Sequence, residues 1–331
     1  MTKALHVLLA ACVAFAAPAF AQYTPSAGHN APAAAYEAVK RADTGKVEFV
    51  PSKEGAAVSK DPHGNARGNQ YDLAIDGAFE GQTVLIIDQT GNTLVNTRAA
   101  LKLKGLNSVV IPNGLTPPIA EFKKQLAQSC QVWLISNGDA RLTDEHIAAI
   151  KSFFDEGHGV YLWGDNDPLY VDTNRIANAL LPGLRMEGNL RGEVAVGISQ
   201  KPGGVGLKEG HLITTGLEHL YEGTSIATVQ FTAPHGRNAA LYDGSKFDAS
   251  RAPELPAGFT AILYGSAGNL VNVAYEKDGK RLLMDGGFTR LAVSWDDAGT
   301  ARYVKNAASW LVNAERFPQK VATITTAATK K

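Results

Sequence analysis

Cysteine is almost missing from this chain. Of 331 residues only Cys12 and Cys130 carry a thiol, which excludes a disulfide-stapled scaffold and a cysteine-rich metal centre. Charge excess is missing too. Lys and Arg total 32 and Asp and Glu total 32, so nothing electrostatic favours nucleic acid or an anionic membrane surface as partner. After residue 20 no apolar run approaches the roughly 20 residues of a membrane span. There is no Gly-x-Ser-x-Gly, which disfavours a serine hydrolase, and no His-x-x-x-His or comparable ligand spacing.

The apolar run that does exist is N-terminal. "MTKALHVLLAACVAFAAPAFAQ" places Lys3 ahead of apolar residues 4–20, with Ala19-Phe20-Ala21 before Gln22. This is the anatomy of a secretory signal cleaved after Ala21, and it predicts a periplasmic or secreted protein. Leu9-Ala10-Ala11-Cys12 resembles a lipobox, leaving a lipidated Cys12 as the less favoured alternative. Cleavage after Ala21 leaves Cys130 as the sole thiol, read as a small buried residue opening the strand "CQVWLIS" rather than as a reactive group.

Residues 22–80 are rich in Ala, Gly, Pro, Ser and Asn and lack periodicity, which predicts a flexible leader, with a short helix in "AAAYEAVKRA". From Gly81 onward strands and helices alternate. "TVLIID" (83–88), "SVVIP" (108–112), "QVWLIS" (131–136) and "GVYLWG" (159–164) read as buried parallel strands. Between them lie helical patterns such as "LTDEHIAAIKSFFDEG", with Thr143 as its cap. The second half is richer in strands and includes a hairpin turned at Asp278-Gly279. "TARYVKNAASWLVN" reads as a closing amphipathic helix with Tyr303, Ala307, Trp310 and Leu311 on one face. The predicted fold is α/β, a doubly wound and mostly parallel sheet over 81–315, followed by a loose tail at 316–331.

In an open parallel sheet, ligands bind beyond the carboxyl ends of the strands. Those ends carry Asp88, Asn137, Asp139, Asp165, Asn166, Asp167 and Asp285, with Arg290 just beyond. Three readings follow. A small polar or sugar-like ligand would use these groups for hydrogen bonds and Trp163 or Tyr170 as an apolar surface. A hard cation would suit the carboxylate and amide oxygens, although Asp165-x-Asp167 lacks the glycine and distant glutamate of a calcium loop. Alternatively, Asp167 simply caps the helix after Pro168 and its neighbours satisfy loop amides. The histidines add little. His158 precedes a strand at the opposite edge, His146 is read as facing out of its helix, His211 as holding a turn, and His219 and His235 as isolated. "KPGGVGLKEG" (201–210) is read as a mobile loop over the crevice.

The order of "GVYLWGDNDPLYVDTNRIANAL", "HLITTGLEHLYEG", "GKRLLMDGGFTRL" and "YVKNAASWLV" resembles the class I glutamine amidotransferase-like superfamily, in particular its divergent, trehalose-utilisation-like branch. The resemblance covers residues 81–315 and implies a flavodoxin-like fold. It also implies a lost activity. The family's catalytic branch carries Cys in Gly-x-Cys-x-Gly on a strained turn. Here the frame reads Gly164-Asp165-Asn166-Asp167-Pro168, with Asn166 at the nucleophile's place. The His-x-Glu partner is replaced by Gly286-Gly287-Phe288-Thr289. Glutamine hydrolysis is therefore not expected, nor is a cofactor. The expectation is an exported, non-catalytic domain that binds a small polar ligand or an envelope protein, with a hydrolase using the acidic edge, metal-assisted or not, as the alternative.

Overall fold

The computed structural model describes residues 23–24, 26–30, 36–43, 47–51, 58–92, 94–199, 205–231 and 254–317. The predicted signal segment, His235, residues 201–204 of the glycine-rich loop and the tail beyond 317 lie outside these residues. Strands β1 (Tyr36–Lys40) and β2 (Val47–Pro51) form an antiparallel pair. The first lies where the sequence predicts a short helix; pairing with β2 overrides the local alanine-rich propensity.

The parallel part of the fold follows the predicted rhythm. It runs β3 (Thr83–Asp88), α1 (Val95–Leu103), β4 (Asn107–Ile111), α2 (Ile119–Ala127), β5 (Gln131–Ile135), α3 (Asp144–Asp155), β6 (Gly159–Trp163) and α4 (Val171–Leu180). Then come β7 (Arg185–Arg191), β8 (Ala195–Gly197), β9 (Gly206–Leu207), β10 (His219–Tyr221), β11 (Ser225–Gln230), β12 (Phe259–Tyr264), β13 (Leu270–Lys277), β14 (Lys280–Asp285) and α5 (Thr300–Leu311). Eight strands form one sheet in the order β4-β3-β5-β6-β14-β13-β12-β9. The first five are mutually parallel, and β13, β12 and β9 extend the sheet with antiparallel pairing. Read along the chain, the parallel five have the order 2-1-3-4-5, which is the flavodoxin-like arrangement with its switch point between β3 and β5.

Alternation along each strand divides the core into two layers. Val84, Ile86, Trp133, Ile135, Tyr161 and Trp163 point to the face covered by α1 and α5. Leu85, Ile87, Val132, Leu134, Val160 and Leu162 point to the face covered by α2, α3 and α4. The β13–β14 hairpin turns at Asp278 and Gly279, both with positive φ, as a two-residue primed turn requires. β7 pairs with β11 and β8 with β10 as two antiparallel ribbons. "RMEGNLR" of β7 carries no alternation strong enough to reveal it as a strand in the sequence.

The leader reading is corrected over residues 58–80. Tyr71, Leu73, Ala74 and Phe79 are buried, and Leu73, Ala74 and Phe79 belong to the α1–α5 core layer. The docking is largely polar, which is why apolar periodicity does not reveal it. Asn306 accepts from Leu73 N at 2.7 Å and donates to the carbonyls of Ile213 and Thr215. Asp72, fully buried, meets Lys104 at 2.9 Å, Lys305 at 2.6 Å and Arg302 at 3.0 Å. The far side of α5 is therefore buried as well as its predicted apolar face.

His146 is likewise corrected. It is buried inside its helix's contact with the chain, its Nε2 2.9 Å from Pro117 O and its Nδ1 2.7 Å from Thr143 Oγ1. Thr143 stands at the N-cap as predicted but directs its hydroxyl to His146 instead of a backbone amide.

Candidate functional site

At the carboxyl edge the acidic groups separate into three neighbourhoods. The first is the switch point. Asp88 ends β3, and its Oδ1 accepts from Thr90 N, Thr90 Oγ1 and Gly91 N at 2.7–3.2 Å, shaping the loop into α1. Asn137, beyond β5, donates to Gln89 O at 2.9 Å. Asp139 is 76% exposed at its side chain and, among the described residues, pairs with Arg141 at 3.7 Å. The group that fills the crevice is Asp172, which the sequence reading missed. Its Oδ2 accepts from Gln89 Nε2, Arg141 N and Leu142 N, and its Oδ1 from Arg175. A carboxylate in the first turn of a helix was the available signal.

The second neighbourhood is the elbow after β6. None of Gly164, Asp165, Asn166 and Asp167 has positive φ, so the strained turn of a nucleophile elbow is absent from this stretch. The turn closes on itself through Leu169 N to Asn166 O at 2.7 Å, and the Asp167–Pro168 peptide is cis. The Pro168 ring packs against Gly138, where an added Cβ would lie 3.0 Å from Pro168 Cγ. The space between the β5 and β6 loops, which a substrate would need, is occupied by the chain itself.

Asp165 is buried there. It accepts from Asn166 N at 2.8 Å, Thr289 N at 3.1 Å and Ser225 Oγ at 3.2 Å, and burial pushes its carboxyl up to about 6 against the pull of those hydrogen bonds. Asn166 accepts from Ser225 Oγ at 2.9 Å, and Asp167 accepts from Tyr170 OH at 3.0 Å. The β7–β11 ribbon covers the turn, since Asp167 N also bonds Gly188 O. Asp167 thus holds Tyr170 instead of capping α4, whose N-cap position is Tyr170 without a side-chain cap bond.

The third neighbourhood lies inside the protein. Asp285 and Arg290 are fully buried and 3.0 Å apart. Asp285 Oδ2 accepts from Tyr303 OH and Asn272 Nδ2, both at 2.7 Å, and Arg290 also donates to the carbonyls of Gly287 and Glu222. Trp163 is fully buried beneath, stacked on Tyr161 with ring centroids 4.4 Å apart. It offers no surface to a ligand, and Tyr170 is also buried. Strand alternation points Trp163 into the α5 layer, a parity that the sequence alone could have supplied.

Among the described residues no three His, Cys, Asp or Glu side chains stand close enough to hold a metal ion. Cys130 is buried, its thiol pushed up to about 12 by desolvation, with Sγ 3.3 Å from Thr83 O. It is inert.

An open cavity touches the predicted set. It lies at the carboxyl ends of β3 and β4, encloses about 470 Å³ and is lined by Asp88, Asn92, Leu94, Arg98, Val110 and Asn113 among others. Asp88 is 5% exposed, and its Oδ1 is the atom that holds the loop. Arg98 binds Ser108 Oγ through Nε.

No family model matches this chain, and no curated protein matches it. Solved structures do. One is a putative GMP synthase subunit from Thermoplasma acidophilum, 9% identical, covering 72% of this chain and 98% of its own, with a TM-score of 0.39. Another is the exo-β-1,4-mannosidase Op5Man5 from Opitutaceae bacterium strain TAV5, 10% identical over 70% of this chain, TM-score 0.37. A third is Agd3, a carbohydrate deacetylase, 13% identical over 71% of this chain, TM-score 0.38. This chain spans 36% and 32% of the last two proteins. At these scores no residue correspondence follows, and the fold class rests on the strand order described above.

Proposed function

We propose that this protein is a non-catalytic, amidotransferase-like domain that binds a small polar ligand at the carboxyl edge of its sheet, in the cavity onto which Asp88 opens. The carrying observation is the contrast between two places. The elbow where the catalytic branch keeps its nucleophile is filled by Pro168 and Leu169 and covered by the β7–β11 ribbon, while the β3–β4 cavity, farther along the same sheet edge, is open and mixes one carboxylate, two amides and a guanidinium with an aliphatic wall. That mixture suits a ligand with hydroxyl or amine groups on a compact apolar body.

Asp88→Asn tests this directly, because the amide oxygen can keep the Thr90 and Gly91 bonds while the charge is lost. Thermal melts against a panel of monosaccharides, polyols and amino acids should show a midpoint rise for at least one compound in the wild type and a loss of most of that rise in Asp88→Asn. A panel with no responder, or a responder equally bound by the variant, sinks the reading. One observation favours a hydrolase instead, namely the burial that pushes the Asp165 carboxyl up to about 6. Turnover of any glycoside or ester that vanishes in Asp165→Asn but not in Asp88→Asn would select it.

We further propose export, with the signal cleaved after Ala21. Cell fractionation followed by N-terminal sequencing should place the protein outside the cytoplasm with Gln22 first. A mature chain starting at Cys12 would establish the lipidated alternative.

A further inference from the structure

A second cavity, of about 360 Å³, lies away from the β3–β4 edge, between the docked segment 61–69 and the start of α5. One wall is a loop that ties itself up. Asp61 accepts from His63 N, Asn65 N and Asn65 Nδ2 at 2.8–2.9 Å, and Asn65 Oδ1 accepts from Glu218 N and His219 N at 2.8–2.9 Å. The opposite wall is the half-buried ring of Trp295 with Gly299 and Ala301. Arg302 and Lys305 line the cavity, and Arg67 stands exposed at its rim.

The charges there are separated, with the cations on the α5 side and at Arg67 and the carboxylates of Asp61 and Asp296 at the loop and rim. Arg302 and Lys305 share a single carboxylate, Asp72, with a third cation, Lys104, while Arg302 also donates to the carbonyls of Gly216 and Gly68 and Lys305 to Asn69 Oδ1. Only Lys104 has a further acid, Asp76, at 2.7 Å. Burial would raise the Asp72 carboxyl, but the three cations outweigh it and hold it low, while Lys305 is driven down by desolvation despite Asp72. Asp61 is engaged by its own loop, and Asp296 is an exposed rim residue. Arg67 uses Nε on Lys60 O at 3.1 Å, and its terminal amino groups make no hydrogen bond among the described residues.

We infer that this cavity is a binding site for a small organic oxyanion, a carboxylate or phosphate, with an apolar or ring-shaped body lying against Trp295. The oxyanion would take its hydrogen bonds from the open terminal amino groups of Arg67, with the Arg302–Lys305 pair behind adding positive potential. The site exists only because residues 61–69 dock on α5, so it couples occupancy to the anchoring of the segment before Gly81.

Benzoate and inorganic phosphate serve as probes, titrated calorimetrically and by thermal melt at constant ionic strength set with chloride. Binding of at least one probe is expected, weakened about tenfold in Arg67→Glu, since reversing one rim charge removes one attraction and adds one repulsion. Asp296→Asn should tighten it by a few-fold, and neither exposed substitution should move the ligand-free melting midpoint much. Ala301→Glu, which puts a carboxylate into the cavity, should abolish binding if Arg67→Glu proves unstable. Absence of heat and of a melting shift with both probes overturns the site. So does a shift that is identical in wild type, Arg67→Glu and Ala301→Glu, because that is stabilisation by salt.

Discussion

At the scale of single residues, two titrating groups pull the stability in opposite directions. Asp165 sits at about 6 in the folded protein against an ordinary 3.8. The folded state therefore holds more protons than the unfolded one in that window, and stability falls as pH rises from about 4 to about 6. His211 is lowered to about 4 from 6.5 by burial, with Arg281 and Lys208 adding to it. Its Nδ1 accepts from Ile213 N at 3.1 Å, a bond that only the unprotonated nitrogen can make. Here the unfolded state holds more protons, so stability rises with pH over about 4 to 6.5. The two slopes oppose each other in the wild type. Urea unfolding at about pH 4.5 and about pH 6.5 should show, relative to wild type, a stability that rises more with pH in Asp165→Asn and falls more with pH in His211→Asn, each difference being up to about 1.4 kcal/mol per pH unit. Identical profiles in all three proteins would show that neither group titrates as its surroundings dictate.

At the scale of elements, β6 and α5 meet more closely than side chains allow. A Cβ at Gly159 would fall inside van der Waals contact of the Leu311 carbonyl oxygen and side chain. The start of β6 is pressed against the end of α5 backbone to side chain, with Asn313 Nδ2 bonding Gly157 O at 2.8 Å to fix the junction. Gly159→Ala should lower the unfolding free energy by about 1–3 kcal/mol, the usual cost of overpacking a rigid contact. A chemical-denaturation midpoint equal to wild type would mean that the two elements can slide apart freely. The same junction orders the aromatic pair next to it, because His158 stacks between Phe153 and Phe317 at 4.3 and 4.5 Å.

On the scale of the whole molecule, the segment before Gly81 is held chiefly by charge and amide groups. Asp72 is the anchor, and its loss leaves Lys104, Lys305 and Arg302 facing one another in the interior. Breaking a buried ion pair from one side costs about 3–5 kcal/mol, because uncompensated charge remains. Asp72→Ala should lose that much in urea unfolding and should expose the 58–80 segment to limited proteolysis. A variant as stable and as resistant as wild type would show that Leu73, Ala74 and Phe79 alone hold the segment.

The sequence by itself determined the layered architecture. Short apolar runs at 83–88, 131–135 and 159–163 alternate with helical spacing, and buried runs of that length separated by helices have few solutions other than a parallel sheet covered on both faces. It also determined the Asp278-Gly279 turn, whose residue types tolerate positive φ, and the lack of a thiol or histidine partner at the elbow. Tertiary structure alone decided which polar groups meet. Asp285 and Asp88 end strands and Asp165 lies just beyond one, yet Asp165 binds a ribbon from residue 225, Asp285 a helix tyrosine at 303 and Asp88 its own loop. The fate of residues 58–80 was hidden for the same reason. Periodicity reports apolar burial, which is local and repeating, whereas a hydrogen bond or ion pair between positions 72 and 305 depends on distances that only the folded chain sets.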